Sequence, residues 1–153
     1  MRTLFILAAA LVACSKQEAP PADTTPAAPP PPAAPAALTA ADVAGTWTGT
    51  GKREGTDSTV AFTFMSTSDS TGKIAFAGSK DTTTFTTKFD ADSLISMSGA
   101  YKDPTLPKNA PQVMFRSVAR KKDGKLVGLA SLVLASKPDS MLYKVNWEAT
   151  KAP

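Results

Sequence analysis

The chain contains no histidine, and its single cysteine, Cys14, stands near the N-terminus. Histidine is the side chain that changes charge near neutral pH, and imidazole and thiolate are the usual zinc ligands, so their scarcity removes the ordinary general base and the ordinary zinc site together. A non-enzymatic protein with no metal and no cofactor is expected. Three short stretches that imitate catalytic or ion-binding motifs do not change this. Ser70-Thr71-Gly72-Lys73 has Ser-x-x-Lys spacing but falls in a turn where a helix is needed. Gly49-Thr50-Gly51-Lys52 lacks the four-residue spacer of a phosphate loop and continues with Arg53 where Ser or Thr would hold magnesium. Asp90 and Asp92 are not followed by the oxygen-rich continuation of a calcium loop.

Long apolar runs are missing too. A membrane-spanning helix needs ~20 apolar residues, and the apolar, uncharged segment Leu4 to Val12 falls well short of that. Preceded by Arg2 and followed by small residues up to Cys14, it has the length and flanks of a secretory signal. The chain is therefore expected to leave the cytoplasm. Leu11-Val12-Ala13-Cys14 resembles the lipobox of bacterial lipoproteins. That resemblance implies cleavage before Cys14, acylation of its thiol with palmitate-type chains, and residence in the cell envelope. Two or three acyl chains, at ~0.8 kcal/mol per buried methylene, hold a protein on a bilayer where one does not. An ordinary cleaved signal with an incidental cysteine is the plain alternative. By resemblance to envelope sorting patterns, Ser15 after the cysteine implies transfer to the outer membrane, facing the periplasm. With Cys14 acylated no thiol remains for a disulfide, so the domain has to stand on its core.

Residues 1–13 thus read as signal and 14–41 as lipidated cysteine and tether. From Ser15 to Ala37 the chain is a Pro/Ala tract with an unbroken run from Pro29 to Pro32. Such a stretch prefers extended polyproline II, at ~3.1 Å per residue, and would act as a semi-rigid spacer reaching on the order of 50 to 60 Å. Residues 42–153 read as one β domain, with no internal repeat and no second boundary. The formal charge of +4 falls to about +3 without Arg2. That mild value in an exported protein excludes nucleic acid as a partner class. One dense basic spot, Arg120, Lys121, Lys122 and Lys125, brackets Asp123-Gly124 and reads as a solvated hairpin tip, with anionic headgroups or polysaccharide as its sharper use.

The domain opens with Leu38 to Gly45, where Thr39 and Asp42 have capping-box spacing for one helical turn. After that, residues alternate in short segments separated by turn signals, the pattern of half-buried strands. Gly45 to Thr50 is the first. Val60, Phe62 and Phe64 share a face of the second, Ile74 and Phe76 of the third, and Phe85, Thr87 and Phe89 of the fourth. A fifth runs from Leu94 to Tyr101 with Ile95, Met97 and Tyr101 as its apolar set. Lys102 to Pro111, with three prolines, is the longest loop. Val113 to Lys121 and Lys125 to Leu134 flank the Asp123-Gly124 hairpin signal. Ser136 to Ser140 reads as the last turn, and Tyr143, Val145 and Trp147 alternate along the final strand. The strand from Lys125 is apolar on both faces at Leu126, Val127, Leu129, Leu132, Val133 and Leu134, and cover of its outer face by the chain itself is expected.

Short strands joined by tight turns argue an all-β, eight-stranded antiparallel up-and-down barrel, with a β-sandwich as alternative. Gly45-Thr46-Trp47, opening the first strand after a helical turn, is similar to the Gly-x-Trp start of lipocalins and their calycin relatives. The resemblance implies that Trp47 closes the barrel base beneath a basic residue from the last strands, and that the other end takes a small hydrophobic molecule. Eight strands enclose an interior just wide enough for side chains or one small ligand. Trp47, Phe62, Phe64, Phe76, Phe85, Phe89, Tyr143 and Trp147 are the candidate lining. Two functions follow from different classes. One is a non-enzymatic, lipid-anchored barrel that binds a small hydrophobic molecule or a lipid. The other is an interaction or inhibitor module for an envelope protein partner, its barrel packed solid and its work done by the long loop and the basic tip.

Overall fold

The computed structural model of the protein describes residues 37–153. The signal segment, Cys14 and the tether up to residue 36 lie outside the described residues. One short helix, α1 (Ala40–Val43), precedes eight strands: β1 (Gly45–Arg53), β2 (Thr59–Ser66), β3 (Thr71–Phe76), β4 (Thr82–Asp90), β5 (Ser93–Ser98), β6 (Val113–Lys122), β7 (Lys125–Leu134) and β8 (Lys137–Lys151). Each strand pairs antiparallel with the next, and β8 returns to β1, so the sheet is a closed up-and-down barrel in simple sequence order. Closure runs through Trp47↔Lys151, Gly49↔Ala149, Gly51↔Trp147 and Arg53↔Val145. No strand edge is left for pairing with another chain. The cap, the eight strands and the buried core all fall within one compact unit, Ala34–Pro153, which therefore carries what it needs to fold by itself.

One end of the barrel is a floor. Thr39 caps α1 and completes the capping box: its Oγ1 receives the Asp42 amide at 3.4 Å, while its own amide and hydroxyl donate to Asp42 Oδ2 at 3.1 and 2.6 Å. The turn is then fastened on two sides. Leu38 N donates to Ala91 O in the β4–β5 turn at 2.9 Å, and Lys121 Nζ of β6 lies 3.4 Å from Asp42 Oδ1. Val43 and Leu38 are buried beneath it. The Trp47 indole donates to Val43 O at 2.8 Å and stacks on Phe64 at 6.1 Å. Above the same ring lies Lys151 Nζ, 5.9 Å from its centroid, at the end of β8. This is a basic residue from the last strand over the base tryptophan, the arrangement that the Gly-x-Trp resemblance implies.

Inward residues come at every second position, and glycine among them makes room for rings. Gly49 stands opposite Phe62, Gly72 opposite Phe85 and Gly128 opposite Trp147 on neighbouring strands. At Gly128 an added Cβ would lie 2.7 Å from Trp147 Cε2 and 2.7 Å from Val118 O, so the indole occupies the space a side chain would fill.

Three strand expectations need correction. In β5 the inward face is Leu94, Ser96 and Ser98, while Ile95 and Met97 point out and are 40% and 48% exposed. Large rings on the flanking strands explain the inversion: Ser98 pairs with Phe85, and its Oγ accepts from Phe115 N at 2.9 Å, so only a small residue fits between them. The strand ends at Ser98, and Tyr101 forms an isolated bridge with Val113. The last turn lies at Ala135 and Ser136 instead of Ser136 to Ser140, because β8 starts at Lys137 and Pro138 sits where its register against β7 shifts. A bulged segment spares proline the donor it lacks. Finally, no described residue covers the outer face of β7, where Val127 is 40% and Leu129 36% exposed. Together with Ile95 and Val118 they form an apolar row across β5, β6 and β7.

Candidate ligand cavity

The interior is organised by ring contacts that run from floor to mouth. Above Trp47, Phe64 meets Phe85 edge-on at 5.9 Å and Trp147 at 6.5 Å, while Trp147 meets Phe62 edge-on at 5.9 Å. Phe85 tilts against Phe115 at 6.4 Å, Phe115 meets Tyr101 at 6.3 Å, and Tyr101 stacks on Phe76 at 5.3 Å. Edge-to-face pairs within 4.5–7 Å add ~0.5–1.5 kcal/mol each beyond burial, and they fix ring orientation. These rings do not close on one another completely. A cavity of about 100 Å³ remains between them, with Val43 of α1 at one end of its lining and Arg53, Asp103 and Thr105 at the other.

Of the eight aromatic residues singled out from sequence, six line this space: Phe62, Phe64, Phe76, Phe85, Tyr143 and Trp147. Trp47 does not; it belongs to the floor. Phe89 packs against the core near the same end without reaching the cavity. Alternation also points to Ile74 and Val145, and both line it. Tyr101, Phe115 and Leu132 belong to the apolar wall too, with Val43, Val60, Leu94 and Ala130. Phe115 was legible as the inward partner of Val113, whereas Tyr101 enters from beyond the end of β5.

Polar groups occupy two levels. Midway down, Thr87, Ser96 and Ser117 are adjacent across β4, β5 and β6, all three buried. Ser117 Oγ accepts from the Trp147 indole at 2.8 Å. Ser96 lines the cavity, and Thr87 Oγ1 is buried without a hydrogen-bond partner. An apolar barrel therefore carries one stripe of hydroxyls with unused bonding capacity.

The second level is the mouth, built by the end of β1, by β8 and by the loop between β5 and β6. Asp103 is the organiser of the loop: Oδ1 accepts from Thr105 N and Thr105 Oγ1, each at 2.7 Å, and Oδ2 accepts from the Tyr143 hydroxyl. Leu106 packs inward against the core. Lys102 Nζ donates to Ala110 O across the base of the loop. The loop is thus a structured rim tied to β8. Burial, followed by the hydrogen bond to Asp103, pushes the Tyr143 phenol from 10.0 up to about 12. Tyr101 is raised as well, by burial first and then by the charge of Asp103. Both phenols stay protonated at neutral pH. Arg53, half-buried at the end of β1, places its guanidinium 4.1 Å from the centre of the Tyr143 ring and faces the cavity.

The basic tip lies at the floor end, away from this mouth. Asp123 and Gly124 both take positive φ, at 50° and 78°, as a two-residue hairpin turn requires. Arg120 pairs with Asp92 at 3.3 Å, Lys121 with Asp42 at 3.4 Å and Lys125 with Glu148 at 3.5 Å, so three of its four cations have carboxylate partners. Ser70, half-buried in the β2–β3 turn, and Thr71, exposed at the start of β3, are not on a helix. No family model matches the chain, and neither the curated proteins nor the solved structures contain a match to it.

Proposed function

We propose that the protein is a lipid-anchored bacterial envelope lipoprotein whose barrel binds a small hydrophobic molecule or part of a lipid, without catalysing a reaction. The observation that carries this reading is the cavity of about 100 Å³ among aromatic side chains, closed at the α1 end and rimmed by polar groups at the other. An apolar space of this kind, with a few convergent polar groups, is the usual form of a small-molecule site. Its size sets a limit. Sites for drug-sized ligands span ~300–1,000 Å³, so the occupant is small, or only one end of a longer molecule enters. The anchor follows from Leu11 to Cys14, and the Pro/Ala tract gives the barrel reach from an outer membrane into the periplasm.

Native mass spectrometry of the protein purified from its own bacterium tests the binding reading. An added mass that disappears on denaturation supports it. A clean mass, with no uptake when small apolar compounds are offered, sinks it and favours the envelope-partner class. Labelling cells with a palmitate analogue tests the anchor: label should enter the wild-type chain and be lost in Cys14→Ser.

A further inference from the structure

The mouth contains a cation with no carboxylate partner among the described residues. Arg53 is the last inward residue of β1, after Gly49 and Gly51, and it is half-buried. Its exposed neighbour Lys52 pairs with Asp57 at 2.9 Å, yet Arg53 has no salt bridge among the described residues. Asp103, which lines the same cavity, already accepts from Tyr143 and Thr105, and Glu54, the next residue in the chain, accepts from Asn146 at 3.4 Å. The Arg53 guanidinium carbon lies 4.1 Å from the centre of the Tyr143 ring, and its side chain makes no hydrogen bond among the described residues, so its N–H groups are available to hold a planar anion by two parallel bonds. Below it the wall is mostly apolar, and the polar groups that line it at depth, Ser96 and Ser117, are neutral.

We propose that the barrel takes a small monocarboxylate amphiphile head-up, its carboxylate on Arg53 and its apolar body among Phe62, Phe76, Phe115 and Trp147. The inference rests on the cavity reading above and names the ligand class for the same site. A single guanidinium with no second cation lining the cavity suits a carboxylate better than a phosphate dianion. An apolar cavity of ~150 Å³ is known to admit benzene, so about 100 Å³ takes a body of about four carbons, with the carboxylate and its neighbouring methylene at the rim.

The two tryptophans serve as internal probe and control. Trp147 lines the cavity, whereas Trp47 is sealed in the floor. The indole N–H signals of the Ala34–Pro153 unit would be followed by NMR during titration with hexanoate, 1-hexanol and hexylamine, in wild type and in Arg53→Gln. Hexanoate should move the Trp147 signal and leave Trp47 still, binding about tenfold more tightly than hexanol, the scale of a charge-assisted hydrogen-bonded pair. In Arg53→Gln that advantage should vanish while hexanol binds as before, which also shows that the variant keeps its cavity. Equal binding of hexanoate and hexanol in both proteins overturns the carboxylate assignment and leaves the cavity reading standing. Preference for hexylamine overturns it by assigning the opposite charge. A Trp147 signal indifferent to all three compounds overturns both readings.

Discussion

If the space between Phe85, Phe115 and Trp147 is a cavity, filling it should strengthen the protein. Ala130, at the centre of β7, lines it, lies between Ser117 and Val145 in the sheet, and is 9% exposed. Ala130→Leu adds an isopropyl group pointing inward. Two routes give the size of the effect. Cavity volume costs ~24 cal/mol per Å³, so filling about 100 Å³ recovers at most about 2.4 kcal/mol. Burying the added carbons at ~0.8 kcal/mol each gives a similar ceiling. Subtracting ~0.5–1 kcal/mol of leucine rotamer entropy leaves a stabilisation of about 1–2 kcal/mol, or about 4 °C in Tm per kcal/mol for a domain of this size. Urea and thermal unfolding of the Ala34–Pro153 unit, followed by circular dichroism, measure this directly. The same variant should lose uptake of whatever small molecule the wild type binds. A loss of 1–3 kcal/mol instead is the signature of overpacking. It would mean the barrel is solid, and both the cavity and the ligand class built on it would fall.

Other substitutions probe the groups around that space. Ser117→Ala leaves the Trp147 indole without its acceptor in a buried setting and should cost about 1–3 kcal/mol in a urea titration. Gly128→Ala sets a methyl against Trp147 Cε2 and Val118 O, and since the carbonyl cannot move aside, destabilisation of roughly 1–3 kcal/mol with a shift in Trp147 fluorescence is expected. Tyrosinate absorbance should show Tyr143 ionising near its raised value of about 12, and Asp103→Asn should bring it back toward 10.0. Because the folded value is raised, this group stabilises the fold fully below about pH 10 and ceases to do so as pH climbs through the folded value. Asp42 works in the opposite sense. Thr39 first, then Lys121, hold its carboxyl below 3.8. Its contribution is present above that value and lost as pH falls through the lowered one, so Asp42→Asn should flatten the acid limb of the stability profile.

Where rings faced rings, the fold was legible in the residues. Phe62 and Phe64, Ile74 and Phe76, and Tyr143, Val145 and Trp147 each sit on the inner face that their alternation indicates. The α1 capping box and the Asp123-Gly124 turn are read from two or three residues apiece, because their geometry is local. β5 misleads for a physical reason. A barrel this narrow cannot take large side chains from every strand, so opposite Phe85 and Phe115 the wall must be serine, and the apolar set of that strand is pushed outside. Alternation reports which face differs, not which face is in. The mouth was hidden for another reason. Arg53 belongs to it only because β1 runs beyond Thr50, and Asp103 only because a loop without periodicity folds back on Tyr143. Contacts that far apart in the chain leave no spacing to read.

The two ends of the barrel divide the work between them. Nothing in the described residues staples the wall covalently, and the four ion pairs are all between exposed or half-exposed groups, worth ~0–1 kcal/mol each. Stability must come from burial, and the most deeply buried large side chains, Trp47, Leu126, Val43 and Val113, include the pair that joins α1 to the wall at the floor. The mouth is arranged differently: Tyr143 and Val145 are only half-buried, and the loop is tied down through a few hydrogen bonds at Asp103. Displacing the rim would break the hydrogen bonds at Asp103, whereas displacing the floor would also uncover Val43 and Trp47, so loss of the floor contacts costs the fold more than loss of the rim contacts.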